Sequence, residues 1–161
     1  MNEVVISAVS AASARARWAM TRYFEELAAR LPGGFDPGDA VDDAASAFDP
    51  PRGVFLLALS GGEVIGCGAL QHLDERTAEI KRMWVSPSSR GLGVGMRLLA
   101  RLEDAAVLAG CGTVLLDTNG SLTEARTLYQ RQGYTPVARY NDNPYAQHWF
   151  AKILPAADER I

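Results

Sequence analysis

Long apolar runs are missing from this chain. The longest unbroken stretch, Val54 to Leu59, is far short of the ~20 residues a membrane span needs, and Met1-Asn2-Glu3-Val4 lacks the basic and then apolar regions of a secretory leader. Cysteine is scarce as well. Cys67 and Cys111 stand in apolar or glycine-flanked surroundings without C-x-x-C spacing, which argues against a disulfide or zinc framework and fits two small core hydrophobes in a reducing compartment. His72 and His148 lie too far apart in sequence to suggest a metal site. There is no basic excess either: 16 Lys plus Arg against 19 Asp plus Glu leave a net charge of −3, which offers no attractive field to phosphate backbones or anionic membranes. These absences predict a cytoplasmic protein with no metal, no nucleic acid and no membrane as partner, whose function comes from a local site.

What is present suffices for a full core. With 161 residues and 48% of them hydrophobic, the chain is expected to form a single domain over 1–161. Glu3 to Ala8 reads as a strand, and Ala16, Met20, Phe24, Leu27 and Leu31 recur at helical spacing until Pro32-Gly33-Gly34. The next stretch is rich in aspartate (Asp36, Asp39, Asp42, Asp43 and Asp49), with a short helix predicted around Asp39 to Ala47. Two strands, Val54 to Ser60 and Glu63 to Leu73, flank a Ser60-Gly61-Gly62 hairpin turn, and a third runs from Thr77 to Val85. A helix over Gly91 to Ala109 follows, with Val94, Leu98, Leu102, Ala105 and Ala109 on one stripe. Then come a strand over Thr113 to Asp117 and a helix over Leu122 to Gln132, opened by a Ser121/Glu124 capping box. Strands over Tyr134 to Arg139 and Gln147 to Ile153 complete the chain. The order β-α-(short α)-β-β-β-α-β-α-β-β predicts an α/β fold of α+β type, a mixed sheet with helices on both faces.

The most informative segment is Arg90-Gly91-Leu92-Gly93-Val94-Gly95, between a strand and a strongly periodic helix. Glycine costs about 1 kcal/mol against alanine inside a helix, so three at a helix start call for a reason. One is a sharp turn with close helix–sheet packing. The other is an anion: bare backbone can approach a diphosphate, whose charge meets the unpaired N–H groups and the positive end of the helix dipole, with Arg90 as an added cation. The Walker pattern fails for want of its lysine and hydroxyl pair, and the spacing Gly-x-Gly-x-Gly departs from the Rossmann Gly-x-Gly-x-x-Gly.

Arg-x-x-Gly-x-Gly at 90 to 95, preceded by Glu79-Ile80-Lys81-Arg82-Met83-Trp84-Val85 and followed by Ala125-Arg126-Thr127-Leu128-Tyr129-Gln130-Arg131-Gln132-Gly133-Tyr134, resembles the GNAT superfamily of acetyl-CoA-dependent N-acetyltransferases over most of the chain. The resemblance implies a strongly twisted sheet of about six or seven strands, split between the fourth and fifth. It further implies acetyl-CoA as co-substrate, a small amine or peptide amine as acceptor, and direct acetyl transfer in a ternary complex; a homodimer stays open.

On the same ground, backbone N–H groups of Met83, Trp84 and Val85 are expected to hold the thioester and pantetheine arm, and Arg90, Gly91, Leu92, Gly93, Val94, Gly95 and Met96 the diphosphate. Tyr129 is the expected proton donor to the departing thiolate, and Glu79 the expected base. Packing on Leu128 and Tyr134, and a strand partnership with Lys81 or Arg82, are their respective structural alternatives. The family's pantetheine-contacting asparagine falls at Leu122, and the nearest asparagine is Asn119. Strand alternation puts Glu79, Lys81, Met83 and Val85 on one face unless a bulge resets the count. The aspartate-rich loop, if it borders the acceptor pocket, would favour a cationic amine, with Trp18, Tyr23, Phe35 and Tyr140 as candidate lining. A Cys67 acyl-enzyme lacks a histidine neighbour in sequence to activate it. Two other functions compete: a non-catalytic CoA-binding or regulatory module, and a nucleotide-binding protein using the same loop.

Overall fold

A computed structural model describes residues 3–155; the expected domain limits, 1 and 161, lie outside them. Strands β1 (Val4–Val9), β2 (Gly53–Ser60), β3 (Glu63–His72), β4 (Thr77–Val85), β5 (Thr113–Thr118), β6 (Thr135–Pro136) and β7 (His148–Ile153) alternate with helices α1 (Ala14–Arg30), α2 (Ala44–Phe48), α3 (Val94–Leu108) and α4 (Thr123–Arg131), in the predicted chain order. The strands form one mixed sheet, β1-β2-β3-β4-β5-β7-β6.

Local chemistry sets the boundaries. Extended Ser13 accepts a hydrogen bond from the Ala16 amide and opens α1, while Leu31, forced out of the helical region by Pro32, closes it. The whole predicted stripe of α1 is buried. Gly61 and Gly62 take φ of 58° and 82°, the positive values that a two-residue hairpin requires at both central positions.

Three local expectations change. The buried side of α3 runs through Val94, Leu98, Leu102 and Ala106, with Leu99 and Glu103, leaving Ala109 exposed. The helix rolls this way because Glu103 is drawn inward to Tyr134 and Lys152. The capping box at α4 does not form: Leu122 occupies the N-cap, the Ser121 carbonyl accepts from Arg30 Nη2, and the Glu124 carboxylate also goes to Arg30. Finally, the strand expected to Arg139 stops at Pro136, because the following residues turn away to bond Glu79 and Asp117.

Two buried clusters sandwich the sheet. α1 and α2 pack with Phe55, Leu57, Cys67, Ala69 and Trp84 on one face; α3 and Tyr129 of α4 pack with Leu56, Leu70, Ile80 and Leu116 on the other. The feature that positions the site is where the sheet comes apart. β4 and β5 pair in parallel only at Thr77↔Thr113, Ala78↔Val114 and Glu79↔Leu115; beyond Glu79 the two strands have no mutual partners.

A bulge lies in the same stretch, where Cys67↔Trp84 is followed by Ala69↔Lys81 and Arg82 takes a φ of 60°. It resets the alternation. Met83 meets α3 across Gly68 and Val85 packs on the same cluster, whereas Arg82 lies over Phe24 and Phe48 on the α1 face.

Glu103 provides a test of this packing. It accepts from Tyr134 Oη at 2.8 Å and from Lys152 Nζ at 3.0 Å while buried. Replacing Glu103 by Ala should cost about 2 kcal/mol, by stranding both donors, and Tyr134→Phe about 1 kcal/mol. Urea unfolding should show both as a lower midpoint at unchanged slope. An unshifted Glu103→Ala midpoint would mean that these bonds do not hold α3 to β7.

Candidate active site

The split opens into two cavities. The larger, about 630 Å³, lies between the end of β4, the 89 to 96 loop and α4; the smaller, about 300 Å³, lies beneath α1 and the segments around Phe35 and Tyr145. Both are lined by Tyr23, Leu27, Met83, Leu122, Ala125 and Tyr129, so they meet at those side chains. Such a passage can take one reactant from each side and bring them together at Tyr129.

At the entrance of the larger cavity, Gly91 and Gly93 have φ of 81° and 80°, which only glycine adopts without strain. The first backbone bond of α3 runs from the Arg97 amide to the Gly93 carbonyl. Among the described residues, no acceptor in the chain takes the amides of residues 91 to 96. A row of unmet donors at the positive end of a helix is an anion site in physical terms. Gly95 has a second reason to be glycine: a Cβ there would come within 3.2 Å of Leu128 Cδ2, so it lets α3 and α4 approach. Of the other loop side chains, Met96 lines the cavity, Val94 is core, and half-exposed Leu92 lies outside the lining.

Arg90, expected as an added cation for the diphosphate, is engaged by the fold itself. Its Nη2 donates to both Glu26 oxygens at 2.6 and 2.7 Å, and its Nε to the Val85 carbonyl at 3.0 Å. Glu26 also accepts from Trp84 Nε1 and pairs with Arg30, which is bonded to Glu124 in turn. Two arginines and two glutamates thus tie α1, α4 and the loop around the larger cavity with their charges balanced.

Tyr129 is 5% exposed, its ring edge-on to Tyr134 at 5.9 Å, and burial pushes its phenol well above the ordinary tyrosine value. The phenol therefore carries its proton throughout the neutral range. Tyr23 beside it is pushed up to about 12, also by burial. Met83 lies at the junction, Trp84 and Val85 line the larger cavity, and the β5-facing edge of β4 past Glu79 has no strand partner.

Glu79 sits at the root of the split and outside the lining of both cavities. Its carboxylate accepts from Tyr140 Oη at 2.5 Å and Asn141 Nδ2 at 3.2 Å and pairs with Lys81 at 3.3 Å. Asn141 Nδ2 also donates to Asp117 at 2.6 Å, and Asp117 does face the smaller cavity. Asn119 departs from its expected position: it lines the smaller cavity, with Nδ2 bonded to the Tyr145 carbonyl and Oδ1 to the Ser121 amide. It does not line the larger cavity, where the pantetheine arm was expected.

The smaller cavity also departs from the acidic surface that the sequence suggested. Phe35, Pro37 and Ala40 line it, and none of the five loop aspartates does. Asp42 pairs with Arg17, Asp36 closes a local turn on the Gly38 amide, and Asp49 anchors Ser10 and Ala11. Tyr23 and Phe35 are lining residues as expected, whereas Trp18 packs on Trp84 and Tyr140 is held by Glu79. Burial pushes the Cys67 thiol up to about 12, which removes it as a nucleophile.

Sequence reasoning passed over Glu26, Arg30 and Glu124, whose pairing across the fold leaves no local pattern. It also passed over Asp117, although a lone acid ending an apolar strand was a usable signal. Hydrogen bonds from Arg30 hold the Glu124 carboxyl down to about 2, from an ordinary 4.5. A depressed carboxylate stabilises above its unfolded pKa and loses that contribution as acid protonates it in the fold. The melting-temperature gap between the natural protein and Glu124→Gln should therefore be constant above about pH 5 and shrink as pH falls from 4.5 toward 2. A pH-independent gap would show that the α1–α4 tie is not ionic.

Comparison with known proteins agrees with this architecture. The model of the acetyltransferase (GNAT) family matches residues 18–134. An IAA acetyltransferase of Azospirillum brasilense is 39% identical over 94 residues, which is 56% of this chain and 61% of that protein, so the match spans about three fifths of the relative's length. A GNAT-family acetyltransferase from Staphylococcus aureus superposes with a TM-score of 0.83 at 15% identity, covering 95% of this chain and all of that one. Another from Elizabethkingia anophelis, solved with acetyl-CoA bound, superposes with a TM-score of 0.67 at 20% identity over 96% of this chain and all of that one. By the family match over most of its length, the chain belongs to the GNAT acetyltransferase family.

Proposed function

We propose that the protein transfers an acetyl group from acetyl-CoA to a primary amine, by direct attack with both substrates bound. The observation that carries this reading is the row of unmet amides at 91 to 96, opening onto a cavity that meets a second one at Tyr129. The amides and the α3 dipole grip the coenzyme's diphosphate, and Arg90 adds to the grip by exchanging Glu26 for phosphate. The unpaired edge of β4 past Glu79 takes the pantetheine arm as a missing strand would be taken, which points the thioester at Met83 and Tyr129. A backbone N–H there stabilises the developing oxyanion.

Tyr129, protonated at neutral pH, supplies the proton that the departing thiolate needs. The amine enters from the smaller cavity and must be neutral to attack. Asp117 in its wall, linked by Asn141 to Glu79 behind it, is the carboxylate pair that drains the amine proton.

Free thiol released from acetyl-CoA across a panel of amines tests the activity. Tyr129→Phe should lower kcat by roughly 10²-fold, with the dissociation constant for CoA unchanged within about twofold. Coenzyme binding without turnover on any amine would favour the non-catalytic module instead. An unchanged kcat in Tyr129→Phe would take the proton transfer away from this residue.

A further inference from the structure

Arg82 carries a charge in the smaller cavity that the fold leaves without a polar partner among the described residues. It lines the smaller cavity from the bulge of β4, at a φ of 60°, a conformation that costs a non-glycine residue energy and tends to mark a site of function. Its Nε is buried without a hydrogen-bond partner. Among the described residues its guanidinium forms no hydrogen bond and no ion pair; its Cζ lies over the rings of Phe24 and Phe48 at 5.2 and 5.3 Å.

The acids nearby are satisfied by other groups. Asp117 accepts from Asn141 and Asn143, and Glu79 takes Tyr140, Asn141 and the one other cation of the cavity wall, Lys81. The cavity wall thus carries a half-buried guanidinium with no acceptor in direct contact among the described residues, Glu79 and Asp117 lying beyond ion-pair distance of it. Burial pulls that guanidinium below its ordinary pKa, against the opposing pull of Glu79 and Asp117.

Resting on the acetyl-transfer reading, we infer that Arg82 determines acceptor specificity: the acceptor is a small amine that also carries an anionic group, carboxylate or phosphate, bonded by the Arg82 guanidinium. The rest of the cavity suits such a molecule. Asp117 faces its amine end, and Phe24, Phe35, Leu31 and Tyr145 surround the carbon skeleton between the two charges. Loss of the anion would leave the buried guanidinium orphaned, so a neutral analogue is rejected more strongly than one lost contact implies.

The test measures kcat/KM for amines in acid and neutral pairs: amino acids against their amides, and phosphoethanolamine against ethanolamine. Calorimetry in the presence of CoA gives the binding of each amine whether or not turnover occurs. The natural protein should favour the anionic member of at least one pair by tenfold or more, and the pair that does so identifies carboxylate or phosphate. Arg82→Met, close in length and apolar, should abolish that ratio by raising KM for the anionic member alone, with Arg82→Lys restoring part of it.

Equal handling of both members of every pair, or a preference that survives Arg82→Met, overturns the inference; so does an equal loss on acid and neutral amines, which would make Arg82 a packing residue. Should Arg82→Met fail to fold, the ratios of the natural protein still decide. Selective binding of anionic amines without acetyl transfer would overturn the catalytic reading and leave this one standing, whereas turnover without anion preference would do the reverse.

Discussion

The sheet stops being a sheet after Glu79, and the site depends on that break. Up to this residue β4 and β5 satisfy each other's backbone; past it, each presents an edge of unmet polar groups inside the fold, where they are expensive to leave unpaired. The opening persists because other elements hold the strands apart. Tyr129 and Ala125 of α4 line the opening, α1 is tied to α4 through Arg30 and Glu124, and the turn after β6 ties Glu79 to Asp117 through Asn141. The binding site is therefore a defect in backbone pairing, flanked by side chains from three distant segments.

The bulge in β4 supplies the second constraint. By inserting a residue opposite Gly68 it turns Met83 and Val85 toward α3 while delivering Arg82 to the α1 face beside Glu79 and Lys81. One strand thereby serves both arms of the passage: its edge faces the larger cavity, and the bulged residue faces the smaller. Without the bulge, Arg82 would fall in the apolar cluster around Leu98 and Leu102, where a guanidinium has no place.

Elements governed by local patterns were legible in the sequence. The stripe of α1 and the Gly61-Gly62 hairpin follow from periodicity and glycine stereochemistry, α3 follows the glycine turn although it starts at Val94 rather than Gly91, and the order of elements with the three family motifs indicated the split sheet. Long-range pairing was not legible. Ser121 and Glu124 have capping spacing but turn to Arg30 on another helix, because a bidentate guanidinium bond outweighs a neutral cap. The pairing of Arg90 with Glu26 was hidden because the two are far apart in sequence. The acidity of the 36 to 49 segment suggested an acidic pocket, yet its apolar residues face inward and its aspartates outward, which composition alone does not distinguish.

The account stands on the amides of residues 91 to 96 gripping a diphosphate, and amide-resolved NMR addresses that directly. Titration with CoA should shift the amide signals of 91 to 96 in a saturable way, and an equal concentration of pantetheine, which lacks the diphosphate, should leave them in place. Amides that respond to neither compound, or to both alike, would contradict it.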